Sequence, residues 1–84
     1  TAKELAQLEA AYAVAPTDRQ VLSDLVAHYL RNDGQAAAGK FVNSALKKSP
    51  KAYSTNLVAG LYRVSTRDLS MALQHFDGAL KLNL

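Results

Sequence analysis

Ala38-Gly39-Lys40-Phe41-Val42-Asn43-Ser44-Ala45-Leu46-Lys47-Lys48-Ser49-Pro50 is the stretch that decides the fold. Small residues at Ala38 and Ala45, with bulky Val42 between them, fall on one face of a helix, where a neighbouring helix can approach closely around a single knob. Thirty-four residues later the scheme returns: Ala72, Phe76, Ala79 and Leu84 stand where Ala38, Val42, Ala45 and Pro50 stood. Thirty-four residues earlier Glu4, Leu8, Ala11 and Pro16 occupy the same places, keeping the bulky residue and one of the two small ones. The two prolines, Pro16 and Pro50, are one period apart, and Leu80-Lys81-Leu82-Asn83-Leu84 parallels Leu46-Lys47-Lys48-Ser49-Pro50. A period that spans the whole chain is the signature of a repeat architecture.

Hydrophobic periodicity between these anchors predicts five helices and no strand. Leu5, Leu8 and Tyr12 mark a first helix from about Ala2 to Val14, which Pro16 stops. Thr17-Asp18-Arg19-Gln20 has capping-box spacing, so a second helix is expected to start there, with Thr17 as its cap, and to run to about Arg31. Its stripe is Val21, Leu22, Leu25, Val26 and Tyr29. Asn32-Asp33-Gly34 reads as a turn before a third helix over 35–48, whose last turn carries Lys47 and Lys48 as the helix dipole favours. A fourth helix is expected over 52–64 and a fifth over 68–81, with Asp68 as its cap and Leu69, Ala72, Leu73, Phe76 and Leu80 along one side.

The period, the final proline and the residues Ala38, Ala45, Ala72, Phe76 and Ala79, supported by Leu22, Leu25 and Tyr29 in the preceding helix, resemble the tetratricopeptide repeat (TPR) family. The resemblance covers the whole chain. It implies an all-α fold of 34-residue helix-turn-helix units stacked as a right-handed superhelical solenoid of about two and a half repeats. On that scheme 1–84 is one domain, with 1–16 the second helix of a truncated repeat and 17–50 and 51–84 full repeats. Departures from the family pattern are Glu4, Leu84 in place of proline, Val26 where a small residue is usual, and the fourth helix. There a strict alignment puts polar Asn56 and Arg63 at buried places. The alternative is a slip of one residue. Tyr29 precedes Ala38 by nine residues and Tyr62 precedes Ala72 by ten, so an extra residue in the turn Ser65-Thr66-Arg67, offset by a shorter connection before the helix, returns Val58, Ala59 and Tyr62 to the core. The slip is preferred because it costs one loop residue instead of two buried polar groups.

Composition narrows the classes of function. Eighty-four residues without cysteine cannot hold a large cofactor domain, and stability must come from efficient local packing. No apolar run approaches the roughly 20 residues of a membrane span or has the character of a secretory h-region. Compartment is not legible. Ten basic against seven acidic residues give a net charge of +3, with no aromatic-interleaved basic face of the kind nucleic-acid binding requires. His28 and His75 belong to different repeats, and Asp24, four residues before His28, reads as its local surface partner. No serine is arranged with a histidine and a carboxylate, and there is no glycine-rich phosphate loop. The chain is therefore expected not to be an enzyme, and to use no metal and no cofactor. Lys47, Lys48 and Lys51 around Ser49-Pro50 suit an inter-repeat turn better than a docking or phosphorylation motif.

What remains is what the resemblance implies: a protein-protein interaction scaffold that binds a peptide or helix in a groove lined by the first helix of each pair. Here that groove is Gln20, Ser23, Asp24, Ala27 and Arg31 with Ser54, Leu57, Val58, Leu61 and Ser65. The Lys and Asn clamp by which one subclass grips a C-terminal carboxylate is absent from the matching places, Ser23, Asp24, Ala27, Ser54 and Val58. A ligand with apolar anchors is therefore expected. The alternative is a structural segment of a longer solenoid, as in bacterial envelope or polysaccharide-export assemblies. Terminal units of a solenoid are normally capped by a polar helix. Apolar surface at Leu69, Leu73 and Leu80, and at Leu5 and Tyr12, is thus expected to be partly exposed, to be covered by further repeats or by self-association through the terminal helices.

Overall fold

The computed structural model describes residues 2–82. Five helices account for most of them: α1 Ala2–Val14, α2 Arg19–Asn32, α3 Gln35–Lys48, α4 Tyr53–Ser65 and α5 Leu69–Leu82. The described residues contain no strand, so the all-α expectation holds; Leu84, the departure from the proline pattern, lies outside them. Each helix packs on the next in chain order, and α2 also packs on α4.

Alanine makes these contacts close. Ala38, Val42 and Ala45 of α3 are buried, as are Ala72 and Ala79 of α5, while Phe76 is half-buried. In the earliest copy of the pattern, Leu8 and Ala11 are half-buried and Glu4 is exposed. The main cluster joins Leu22 and Val26 of α2, the α3 triplet, and Val58, Ala59 and Tyr62 of α4. Tyr12, Phe41 and Tyr29 extend it as a row of rings, with centroids 5.2 and 5.7 Å apart.

The slipped register of α4 is the one adopted. Val58, Ala59 and Tyr62 are buried, Arg63 is half-buried, and Leu61 and Val64 are exposed. The extra turn residue is visible as well: two residues separate α2 from α3, whereas Thr66, Arg67 and Asp68 separate α4 from α5, with Arg67 in the left-handed region at φ 63°. The offset does not come from a shorter connection before α4. Four residues, 15–18 and 49–52, precede α2 and α4 alike, and α4 is instead one residue shorter than α2. Asn56 is accommodated because its amide donates to the carbonyls of Pro50 and Ala52, both at 3.0 Å, and so closes the entry to a helix whose cap residue, Ala52, supplies no side-chain bond.

Tyr62 crosses to α3 and donates to the Gln35 carbonyl at 2.9 Å. Gly39 lets it pass, since a Cβ there would lie 2.8 Å from the phenol oxygen. Gly60 plays the same part for α5, because a Cβ there would lie 2.5 Å from Phe76 Cε1.

Two further sequence expectations are corrected. The cap of α2 is Asp18, not Thr17: the Asp18 carboxylate accepts from the amides of Gln20 and Val21 at 2.9 and 3.1 Å, while Gln20 reaches forward to Asp24. An ionised carboxylate is the stronger acceptor at a helix N-terminus, and the Thr17 carbonyl is engaged by the Ser54 hydroxyl. Asp24 is not the partner of His28, which is buried and lies 3.1 Å from Glu4 on α1. The expected caps of α5 and turn after α2 stand: Asp68 accepts from the Met71 amide at 3.2 Å, and Asp33 and Gly34 close the end of α2 on the Tyr29 carbonyl.

Candidate functional site: the cleft between α2 and α4

On α2, Ser23, Ala27 and Leu30 follow one another at steps of four and three, so they lie on a single face beside buried Val26. On α4, Val58, Leu61, Tyr62 and Ser65 follow the same rule. Packing of α2 on α4 turns these faces towards each other and leaves a cleft of ≈ 210 Å³ lined by all eight residues. None of the eight carries a charge. The Ser65 hydroxyl is turned back onto its own helix, donating to the Tyr62 carbonyl at 2.6 Å. The Tyr62 hydroxyl points to α3, so its ring alone faces the cleft. The walls are thus small, aliphatic or aromatic, suited to one or two apolar side chains.

Of the residues expected to form a groove, Ser23, Ala27, Val58, Leu61 and Ser65 come together here. Asp24, Ala27 and Arg31 line a separate depression of ≈ 290 Å³ with Glu4 and Leu8 of α1, and Ala27 is the wall shared by the two. Gln20 donates to Asp24 and Ser54 to the Thr17 carbonyl; neither lines these hollows, nor does half-buried Leu57. Sequence reasoning missed Leu30, Val26 and Tyr62. Leu30 was readable as the next step beyond Ser23 and Ala27, whereas the other two were assigned wholly to the core.

The second hollow is polar. Glu4 Oε1 lies 3.1 Å from His28 Nδ1 and 3.3 Å from Arg31 Nη2. The hydrogen bond with His28 is the main reason the Glu4 carboxyl is held below its ordinary value of 4.5, with Arg31 adding a smaller effect. The same contact assigns the His28 proton to Nδ1, because a carboxylate can only accept. This arrangement explains why the repeat pattern is broken at Glu4: where the later copies place alanine, the first places the partner of a histidine on the next helix.

Among the described residues no three His, Cys, Asp or Glu side chains gather in a metal-binding group, and no helix is long and apolar enough to cross a membrane. No protein-family model, curated protein or solved structure matches the chain.

Proposed function

We propose that the chain is a non-catalytic interaction module of TPR type, its helix pairs stacked as a right-handed superhelical solenoid, which receives the apolar side of a peptide or helix in the α2–α4 cleft. The observation that carries this reading is the charge-free lining between two alternate helices: Ser23, Ala27 and Leu30 on one wall and Val58 and Leu61 on the other. Repeat spacing supports it from the sequence side. A cleft without charge discriminates by shape and desolvation, so it favours ligands with two apolar anchors at helical spacing and disfavours acidic tails.

The test is selection of displayed peptides against the 84-residue chain, followed by NMR mapping of a selected peptide. Enrichment of paired apolar anchors, with shifts confined to Ser23, Ala27, Leu30, Leu61 and their neighbours, is expected. Ala27→Arg fills the cleft from a half-buried position and should abolish binding with the helical spectrum unchanged. Peptides that bind A27R as well as the parent chain would overturn the proposal.

A further inference from the structure

We propose that a third hollow, between the start of α1 and the end of α2, is a site for a primary alkylammonium group such as the side chain of a lysine. Its volume is ≈ 250 Å³, and it is lined by Ala2 and Leu5 of α1, His28 and Asn32 of α2, and Asp33, the residue that caps α2. It shares no wall with the cleft or with the hollow around Glu4. His28 decides what it can hold. The His28 side chain is 4% exposed, and its Nδ1 proton is given to Glu4, which leaves the lone pair of the neutral ring on Nε2. That nitrogen has no partner within the protein, yet it is not sealed in: among the described residues the fully buried side-chain nitrogen and oxygen atoms without a partner belong to Thr55, Arg63 and His75. The little surface that His28 keeps therefore includes Nε2, on the wall of the hollow. A nearly dry acceptor without a donor costs free energy that a ligand N–H recovers.

The other polar groups around the hollow are of the same kind. Asn32 directs its amide nitrogen to the His28 carbonyl at 2.9 Å, which leaves its side-chain oxygen to accept. Asp33 adds a carboxylate, and the hollow lies at the C-terminal end of α2, where the helix dipole favours positive charge. No basic residue lines it, since Arg31 turns to Glu4 in the neighbouring hollow. A set made of acceptors alone selects a cation with several donors. An ammonium has three and accepts nothing. A bare metal ion fits the lining less well, because Ala2 and Leu5 offer it no ligand, whereas they can cover the methylene stem that carries an ammonium.

This inference rests on the α1–α2 hollow and is independent of the cleft. It is tested by NMR titration of the 84-residue chain, into the millimolar range, with butylammonium chloride and with Nα-acetyl-lysine methylamide. Nα-acetyl-norleucine methylamide, which has the stem without the charge, and zinc chloride are run beside them. Saturable shifts at Leu5, His28, Asn32 and Asp33 are expected with both amines and not with the norleucine compound, and the tighter of the two amines tells a free amine from a lysine of a polypeptide. Asp33→Asn should weaken binding by about two- to fivefold. Asp33→Lys, which brings an ammonium of its own, should abolish it. Both changes fall on an exposed side chain, so the helical spectrum should be retained, and Ala27→Arg in the cleft should leave amine binding as it is. The proposal is overturned if neither amine gives saturable shifts, if the norleucine compound gives the same ones, if D33N and D33K bind as the parent chain does, or if zinc alone produces them.

Discussion

Thr55 is 2% exposed, and its hydroxyl has no hydrogen-bond partner. A buried hydroxyl left unpaired costs about 1–3 kcal/mol, and an apolar group of the same shape escapes that cost. Thr55→Val is therefore expected to raise stability by about 1 kcal/mol, read as a higher urea midpoint at unchanged slope; a lower midpoint would show that the hydroxyl is satisfied. Two ionisable groups make stability depend on pH. Burial, and then the nearby Arg63 charge, pushes His75 below its ordinary value of 6.5. The neutral ring is thus favoured in the fold, and its contribution is present above pH 6.5 and lost as pH falls below it. Glu4, held below 4.5 chiefly by its bond with His28, contributes above pH 4.5 and loses that contribution as pH falls further. Melting temperature should thus decline in two stages on acidification, with His75→Gln flattening the first and Glu4→Gln the second. A parent profile unaltered by H75Q would remove His75 from the account. Sequence alone assigned His28 to Asp24, because helical spacing reveals only local pairs; the partner actually used is on another helix, 24 residues away.

Within single helices the sequence was most legible where small and large residues alternate at repeat spacing. Ala38, Val42 and Ala45 are buried as their pattern required, and the irregular register of α4 followed from counting back from Ala72 to Tyr62. Caps were less legible, because Thr17 and Asp18 are both good capping residues and only the three-dimensional course of the chain shows that Asp18 is the one whose side chain meets the first free amides, those of Gln20 and Val21. Close packing at the alanine and glycine positions makes opposite predictions for similar changes. Ala45→Leu forces a larger side chain between helices at a position 3% exposed and should cost about 1–3 kcal/mol. Gly60→Ala gains up to about 1 kcal/mol of helix propensity but drives a methyl to within 2.5 Å of the Phe76 ring, and the clash should prevail. At Gly78 the same change meets only Asn56 Oδ1 at 3.6 Å, an ordinary contact, so Gly78→Ala should stabilise by up to about 1 kcal/mol. Chemical denaturation of the three variants checks the signs, and a stabilised G60A would mean that Phe76 can leave its place.

Across the whole molecule, contacts run along the chain from helix to helix, with α2 on α4 as the one addition, so stability is distributed by position in the stack. The main cluster is built from α2, α3 and α4. α5 adds two buried alanines, whereas α1 has no buried residue and is held by half-buried Leu5, Leu8 and Tyr12, the ring contact with Phe41 and the bond from Glu4 to His28. An element with so little buried apolar surface opens at a smaller free energy than the core it rests on. Amide hydrogen exchange at neutral pH should therefore be fastest in α1, intermediate in α5 and slowest at Leu22, Leu25, Val42, Val58 and Tyr62. As pH falls progressively below 4.5, protection relative to the intrinsic exchange rate should drop more in α1 than in α3, because the Glu4 bond is lost while the alanine contacts of α3 contain no titrating group. Uniform protection across all five helices would contradict this ordering and make the chain one cooperative unit.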